Sequence, residues 1–264
     1  MNPFECTPMT DMSDMTELNI QIVPDYAAVS LAAATTIAET VRDKPGAAVC
    51  VPTGSTPVGM FKLLAAWVQA GELSFEQTPF FCLDEYVGIR NDDPASLTAW
   101  LTEHFFSPAR VPMKNIHTLA TAPDEVEAGA AQYERDITAA GGLELAVLGL
   151  GSNGHIAYNE PGTPGDSRTG LVTLTAESKH GARMFFKERP VPDQAVSVGV
   201  ATLLEARQIV LMVSGAAKAD ILHRALRGPQ TAEAPASFLQ RAGERLTVIV
   251  DEAAAARLKL ERRL

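Results

Sequence analysis

The sequence predicts an α/β protein: a mainly parallel sheet covered by helices on both faces, in three layers. Three observations carry this. From about Leu18 onward, short apolar runs alternate with longer amphipathic segments, the pattern of doubly buried strands joined by covering helices. The chain has 264 residues, 46% hydrophobic and 20% charged, an ordinary composition for a sizeable core. Turns rich in glycine and hydroxyl residues follow several apolar runs, where ligands of open α/β sheets gather. No repeat, heptad run, charge tract or linker interrupts the chain, so residues 19–264 are expected to form one domain behind a disordered leader over 1–18.

Taken in order, Asn19–Val23 is a short β-type run, and Tyr26 to about Arg42 is an Ala-rich helix. Ala47–Val51 is an apolar strand, punctuated by Thr53-Gly54-Ser55-Thr56-Pro57 before a helix to about Gln69. Pro79–Leu83 is a further strand, ending in Asp84-Glu85-Tyr86, and helices follow at Pro94–Phe106 and Val126–Ala139. Leu143–Leu150 is nearly continuous in apolar residues and runs into Gly151-Ser152-Asn153-Gly154-His155. The Gly-, Pro-, Ser- and Thr-rich stretch from Glu160 to about Thr169 reads as loop, and residues 162–192 are expected to form a loop-rich cover. A strand at Ile209–Val213, a helix from Ala216 to about Leu226, a strand at Leu246–Val250 and a short Ala-rich helix complete the series.

The formal net charge of −10 provides no broad basic field, which argues against nucleic acid or an anionic membrane as a partner. A small phosphorylated ligand needs only a few local cations and backbone amides. Cys6, Cys50 and Cys82 form no paired spacing, which fits a reducing compartment and neither a disulfide framework nor a zinc site. The start of the chain lacks the basic and apolar regions of a signal peptide, and no uncharged apolar run approaches the roughly 20 residues of a membrane helix. A cytoplasmic location is expected.

Three segments could carry chemistry. Pro52 to Pro57 places a glycine turn and hydroxyls between a strand and a helix, a cradle suited to phosphate, without the Lys of a nucleotide loop. Asp84 and Glu85 stand at a strand's carboxyl end and point to opposite sides, so one can serve as a base while the other holds structure. His155 lies among glycines after a buried strand, with Glu160 five residues on to set its tautomer. Lys218 follows Ser214-Gly215 at another strand-to-helix junction, and Arg168 and Arg183 lie within or beyond the polar stretch. No His/Cys/Asp cluster has metal-ligand spacing, and Ser152 lacks a nucleophile-elbow context.

Together these segments resemble the glucosamine-6-phosphate deaminase family, within the wider group that includes 6-phosphogluconolactonases. The resemblance runs from about residue 19 to 258 and is most specific at Pro52–Pro57, Leu83–Gly88 and Gly154–Pro161, with support from Ser167-Arg168-Thr169 and Ser214–Lys218. Lactonases typically read Asp-Glu-Arg and His-Thr-Ala-Ser-Leu-Phe-Pro at these places; this chain reads Asp84-Glu85-Tyr86 and His155-Ile156-Ala157-Tyr158-Asn159-Glu160-Pro161.

The resemblance implies a modified Rossmann-like fold and a deaminase that uses neither metal nor other cofactor. It implies that His155, partnered by Glu160, opens the sugar ring and that Asp84 moves a proton from C2 to C1. It assigns the phosphate to Thr53, Gly54, Ser55 and Thr56 with Arg183 and Lys218. Asn153 stands where many members have Asp, so it can hydrogen-bond to His155 but supplies no charge. Gly170 replaces an Arg of allosterically activated members, which implies no activation by an acetylated sugar phosphate. The segment before Arg183 is about one residue shorter than the family spacing. The galactosamine epimer is the near alternative as substrate, a lactonase or a silent sugar-phosphate sensor the more distant ones. Members range from monomers to hexamers, so a homo-oligomer is possible.

Overall fold

The computed structural model describes residues 18–261. The expected leader and Cys6 lie outside the described residues, except Leu18, which packs against the core. β1 (Asn19–Val23) leads into α1 (Tyr26–Asp43), capped by Asp25, whose carboxylate accepts from the Ala28 amide at 2.9 Å. Next come β2 (Ala48–Val51), α2 (Val58–Gln69), β3 (Phe80–Cys82) and β4 (Asp84–Tyr86). α3 (Leu97–Leu101) continues as a π-helical turn over Thr102–Phe106, followed by β5 (Ile116–His117) and α4 (Val126–Ala139). β6 (Leu143–Gly149), β7 (Gly170–Thr173), α5 (Ala176–Phe186), β8 (Gln194–Ser197) and α6 (Val200–Leu204) follow. The chain ends with β9 (Gln208–Val213), α7 (Ala219–Arg227), β10 (Leu246–Asp251) and α8 (Ala256–Glu261).

Among the described residues, a 7-stranded sheet has the order β1-β10-β9-β6-β2-β3-β5, and every neighbouring pair is parallel. Successive residues along the strands point to opposite faces. Val49, Val51, Phe80, Cys82, Leu145 and Val147 meet α1, α2 and the π-helical turn. Cys50, Phe81, Ala146, Leu148, Leu211 and Val250 meet α4, α7 and α8. This is the three-layer, modified Rossmann-like arrangement expected from the sequence. Each fully buried Leu or Phe contributes roughly 1.5–3 kcal/mol by leaving water, so the two apolar faces dominate the energetics. No helix among the described residues is long and apolar enough to cross a membrane.

The structure departs from the sequence reading at two places. The run that reads as one strand ending in acids splits at Leu83. β3 stays in the parallel sheet, while β4 turns into a 3-stranded antiparallel sheet of order β4-β8-β7. The expected loop-rich cover over 162–192 contains β7 and α5, whose first turn is capped by Thr175 accepting from the Ser178 amide at 3.2 Å. Tyr86, Leu97, Leu174, Ala182, Phe186 and Ala195 form a small core of their own beneath this sheet. Strands of only three or four residues carry no long apolar run, so they leave little trace in the sequence.

Candidate active site

The carboxyl ends of β2, β3 and β6 and the segment after β9 open into one cavity of roughly 280 Å³, continuous with solvent. The sequence-singled segments meet there: Thr53, Gly54, Ser55, Thr56, Asp84, His155 and Lys218 all line it. Helix α5 supplies a wall through Glu177, Ser178, Gly181, Ala182 and Phe185, spaced as one helical face requires.

At the β2 end, Gly54 has φ +94°, in the left-handed region that only glycine enters without cost, and this turns the chain from β2 toward α2. The Tyr26 hydroxyl at the start of α1 holds the turn, accepting from the Gly59 amide at 2.8 Å and donating to the Ser55 carbonyl at 3.2 Å. Thr53, Ser55 and Thr56 thus present hydroxyls and amides at a helix N-terminus, an arrangement suited to an anion. Lys218 is half-buried beside Leu150 and donates to its carbonyl at 2.7 Å. Burial lowers the Lys218 pKa, and the Glu177 carboxylate partly opposes that fall. The loop that carries Lys218 is anchored by Asp251, which accepts from Ser214 Oγ at 2.5 Å and from the Gly215 amide at 2.9 Å.

The two acids of β4 part as strand geometry demands. Glu85 is fully buried away from the cavity and accepts from the Tyr86, Leu97 and Thr98 amides, so it caps α3. Asp84 is buried against the cavity, and its Oδ1 has no hydrogen-bond partner among the described residues. Burial, with the neighbouring Glu85 charge adding to it, raises the Asp84 carboxyl to about 8. A carboxyl with that pKa can take up and return a proton near neutrality.

His155 packs its ring over Gly151 so closely that a Cβ there would lie 2.4 Å from Nε2. Its Nδ1 lies 3.5 Å from Glu160 Oε2 and 3.3 Å from Ser178 Oγ, which leaves Nε2 on the cavity side. Glu160 also accepts from Asn153 Nδ2 at 2.8 Å and from the Thr175 amide at 3.2 Å. Burial alone would raise the Glu160 carboxyl, but the neighbouring His155, Ser178 and Asn153 side chains together with the His155 charge outweigh it and bring it down to about 2. Asn153 reaches His155 only through the backbone, where its Oδ1 accepts from the His155 amide at 3.1 Å. Its side chain therefore steadies Glu160.

Arg183 is not among the lining residues; it is exposed on α5, one position past Ala182 on the helix circumference. Arg168 also turns away, forming ion pairs with Glu134 and Glu205. The sequence reading passed over Glu177, Ser178, Phe185 and Tyr158 in the cavity wall and Asp251 behind it. The Thr175 N-cap is the sequence signal that marks the start of α5.

A family model described as glucosamine-6-phosphate isomerases/6-phosphogluconolactonase matches residues 25–248. The chain is 42% identical over 248 residues to a glucosamine-6-phosphate deaminase of Rhodopirellula baltica, covering 94% of this chain and 98% of that one. It is 38% identical to glucosamine-6-phosphate deaminase 2 of Bacillus subtilis, over 92% and 98% of the two chains. Among solved structures, a monomeric glucosamine-6-phosphate deaminase superposes with a TM-score of 0.86 at 32% identity, over 91% of this chain and 100% of that one. The 6-phosphogluconolactonase of Trypanosoma cruzi shares the fold, with a TM-score of 0.71 at 19% identity over 92% and 97% of the chains.

Proposed function

The chain belongs to the family of glucosamine-6-phosphate isomerases and 6-phosphogluconolactonases, and we propose that it is a glucosamine-6-phosphate deaminase, which converts glucosamine 6-phosphate and water to fructose 6-phosphate and ammonia. The observation that carries this reading is the sharing of one cavity by a buried carboxylate, Asp84, with one oxygen unpartnered among the described residues, and a carboxylate-held imidazole, His155, beside a hydroxyl cradle. The deaminases among its relatives support it.

The phosphate sits on Thr53, Gly54, Ser55 and Thr56, with Lys218 supplying charge; this anchors the sugar at its unreactive end and orients C1 and C2. His155 Nε2 takes the proton from the O1 hydroxyl and delivers it to O5 as the C1–O5 bond breaks, giving the open aldehyde. Glu160 stabilises the imidazolium between the two transfers. Asp84 removes the C2 proton while the substrate's own C2 ammonium group gives one to O1, which forms an enolamine. Asp84 then returns its proton to C1 as O1 keeps its own, leaving a C1 alcohol and a C2 iminium, whose extra proton leaves with ammonia. Water adds to C2, the C2–N bond breaks, and ammonia departs from the new ketone. Arg183, exposed on α5, contributes at most a long-range charge. The same reading places the protein in the cytoplasm, in keeping with two buried free thiols, Cys50 and Cys82.

The test is to follow ammonia and fructose 6-phosphate together from glucosamine 6-phosphate, with and without a chelator. Equal amounts of both products, indifferent to chelator, are expected. Hydrolysis of 6-phosphogluconolactone without any amino-sugar turnover would overturn the reading, and faster turnover of the galactosamine epimer would redirect it.

A further inference from the structure

We propose that Ser178 is a positioning residue for His155, holding the imidazole as its Nδ1–H tautomer so that a bare Nε2 faces the sugar. The role rests on the reading of His155 as the group that opens the ring. Ser178 is 7% exposed, lies in the first turn of α5 and lines the cavity. Its Oγ is 3.3 Å from His155 Nδ1, and Ser178 is among the side chains that hold the Glu160 carboxyl low. The Glu160 carboxylate itself stands 3.5 Å from Nδ1, beyond a good hydrogen bond.

A hydroxyl can accept and donate at once, whereas a carboxylate only accepts. Ser178 can therefore take the Nδ1–H bond and pass its own proton to Glu160, completing a chain that the carboxylate closes poorly alone. With Nδ1 bare, the ring nitrogen would face carboxylate lone pairs with only the hydroxyl proton to share. That arrangement leaves Glu160 short of a donor, so the Nδ1–H form is favoured.

The position of Ser178 is itself fixed by the same carboxylate. The Thr175 amide donates to Glu160 at 3.2 Å, and Thr175 Oγ1 accepts from the Ser178 amide at 3.2 Å. The first turn of α5 is thus keyed to the group that Ser178 helps to link to His155. The tautomer and the seating of this wall depend on one another.

The experiment compares wild-type protein with Ser178→Ala and Ser178→Thr. Imidazole nitrogen NMR on ¹⁵N-histidine protein reads the tautomer without turnover. A dominant Nδ1–H form is expected in the wild type and in Ser178→Thr, and a mixture in Ser178→Ala. In kinetics, Ser178→Ala is expected to lower kcat on glucosamine 6-phosphate about tenfold, with Ser178→Thr recovering most of it. The inhibition constant of an open-chain amino-alditol 6-phosphate, which has no ring to open, is expected to stay within about twofold. An unchanged tautomer in Ser178→Ala, or equal losses in kcat and in open-chain affinity, would overturn the proposal and make Ser178 a simple wall residue. A wild-type protein inert on amino-sugar phosphates would instead overturn the functional reading, and the NMR comparison would still decide for or against Ser178.

Discussion

Glu85 is fully buried and accepts three backbone N–H bonds at 2.8–2.9 Å, while the carboxylate of Asp84, its neighbour in the chain, opens onto the cavity with one oxygen unpartnered. One strand of three residues thus separates a structural acid from one that faces the cavity. Their closeness has an energetic price, since burial first and the Glu85 charge second make Asp84 reluctant to ionise.

That reluctance sets the pH dependence. A base works in its deprotonated form, and the Asp84 carboxyl is raised to about 8. The value of kcat/KM is expected to rise with pH through a midpoint near 8, because this ratio reports the free enzyme. Initial rates at low substrate between pH 6 and 9.5 check it; a flat profile across that range would remove Asp84 from the base role.

Asp84→Asn is expected to lower kcat by about a thousandfold or more and to raise stability at alkaline pH. The folded pKa lies above the unfolded value, so the folded state binds more protons between about pH 4 and 8. Wild-type stability therefore falls as pH rises through that window, by up to roughly 1.4 kcal/mol per pH unit. The amide has no such titration. The Tm difference between variant and wild type should be larger at pH 9 than at pH 5; an equal difference at both would show that Asp84 is not strained.

Gly151→Ala places a methyl group 2.4 Å from the His155 ring. The imidazole must move, and a misplacement of about 1 Å can cost on the order of a hundredfold in rate. The expected result is a large loss in kcat with substrate-analogue affinity nearly retained, measured by calorimetric titration beside steady-state kinetics.

Lys218→Ala is expected to raise KM for the phosphorylated sugar at least about tenfold, since a charge-assisted hydrogen bond to an anion is worth roughly 1.5–3 kcal/mol. Arg183→Ala, at an exposed position outside the lining, is expected to change KM less than about threefold. Equal effects of the two substitutions would mean that α5 rearranges to bring Arg183 to the phosphate.

Glu85→Ala removes the acceptor of the Leu97 and Thr98 amides at the start of α3 and leaves both without it in a buried site, while Ser96 still accepts from the Ala99 amide. A loss of roughly 2–4 kcal/mol is expected in urea unfolding. A change below about 0.5 kcal/mol would deny Glu85 its capping role.

The strands and helices of the large sheet were legible because long apolar runs such as Leu143–Gly149 have few alternatives to a buried parallel strand. Asp84, His155 and the Thr53–Thr56 turn were legible because they follow such strands directly. The small sheet was not, since the strand at Gly170–Thr173 is half-exposed and reads equally well as loop. The wall on α5 was hidden for a different reason. Ser178, Gly181 and Ala182 are small or polar, so their shared face carries no apolar stripe. Arg183 shows how sharply helical phase matters: one residue turns a side chain by about 100° around the axis. Asn153 has the expected polarity but a different main partner, because the turn brings Glu160 to its amide nitrogen.

Thr53, the first cradle residue, and Asp84 each lie two residues beyond the backbone partners Val51 and Cys82 on adjacent parallel strands. The span between an anchored anion and the reacting carbons is therefore ruled by the main-chain ladder, which side-chain substitution barely alters. The α5 wall of the cavity, by contrast, is built of side chains that substitution can replace. Descendants of this scaffold could exchange one hexose for its epimer by a few point changes. Accepting a sugar one carbon shorter would require rebuilding the sheet itself.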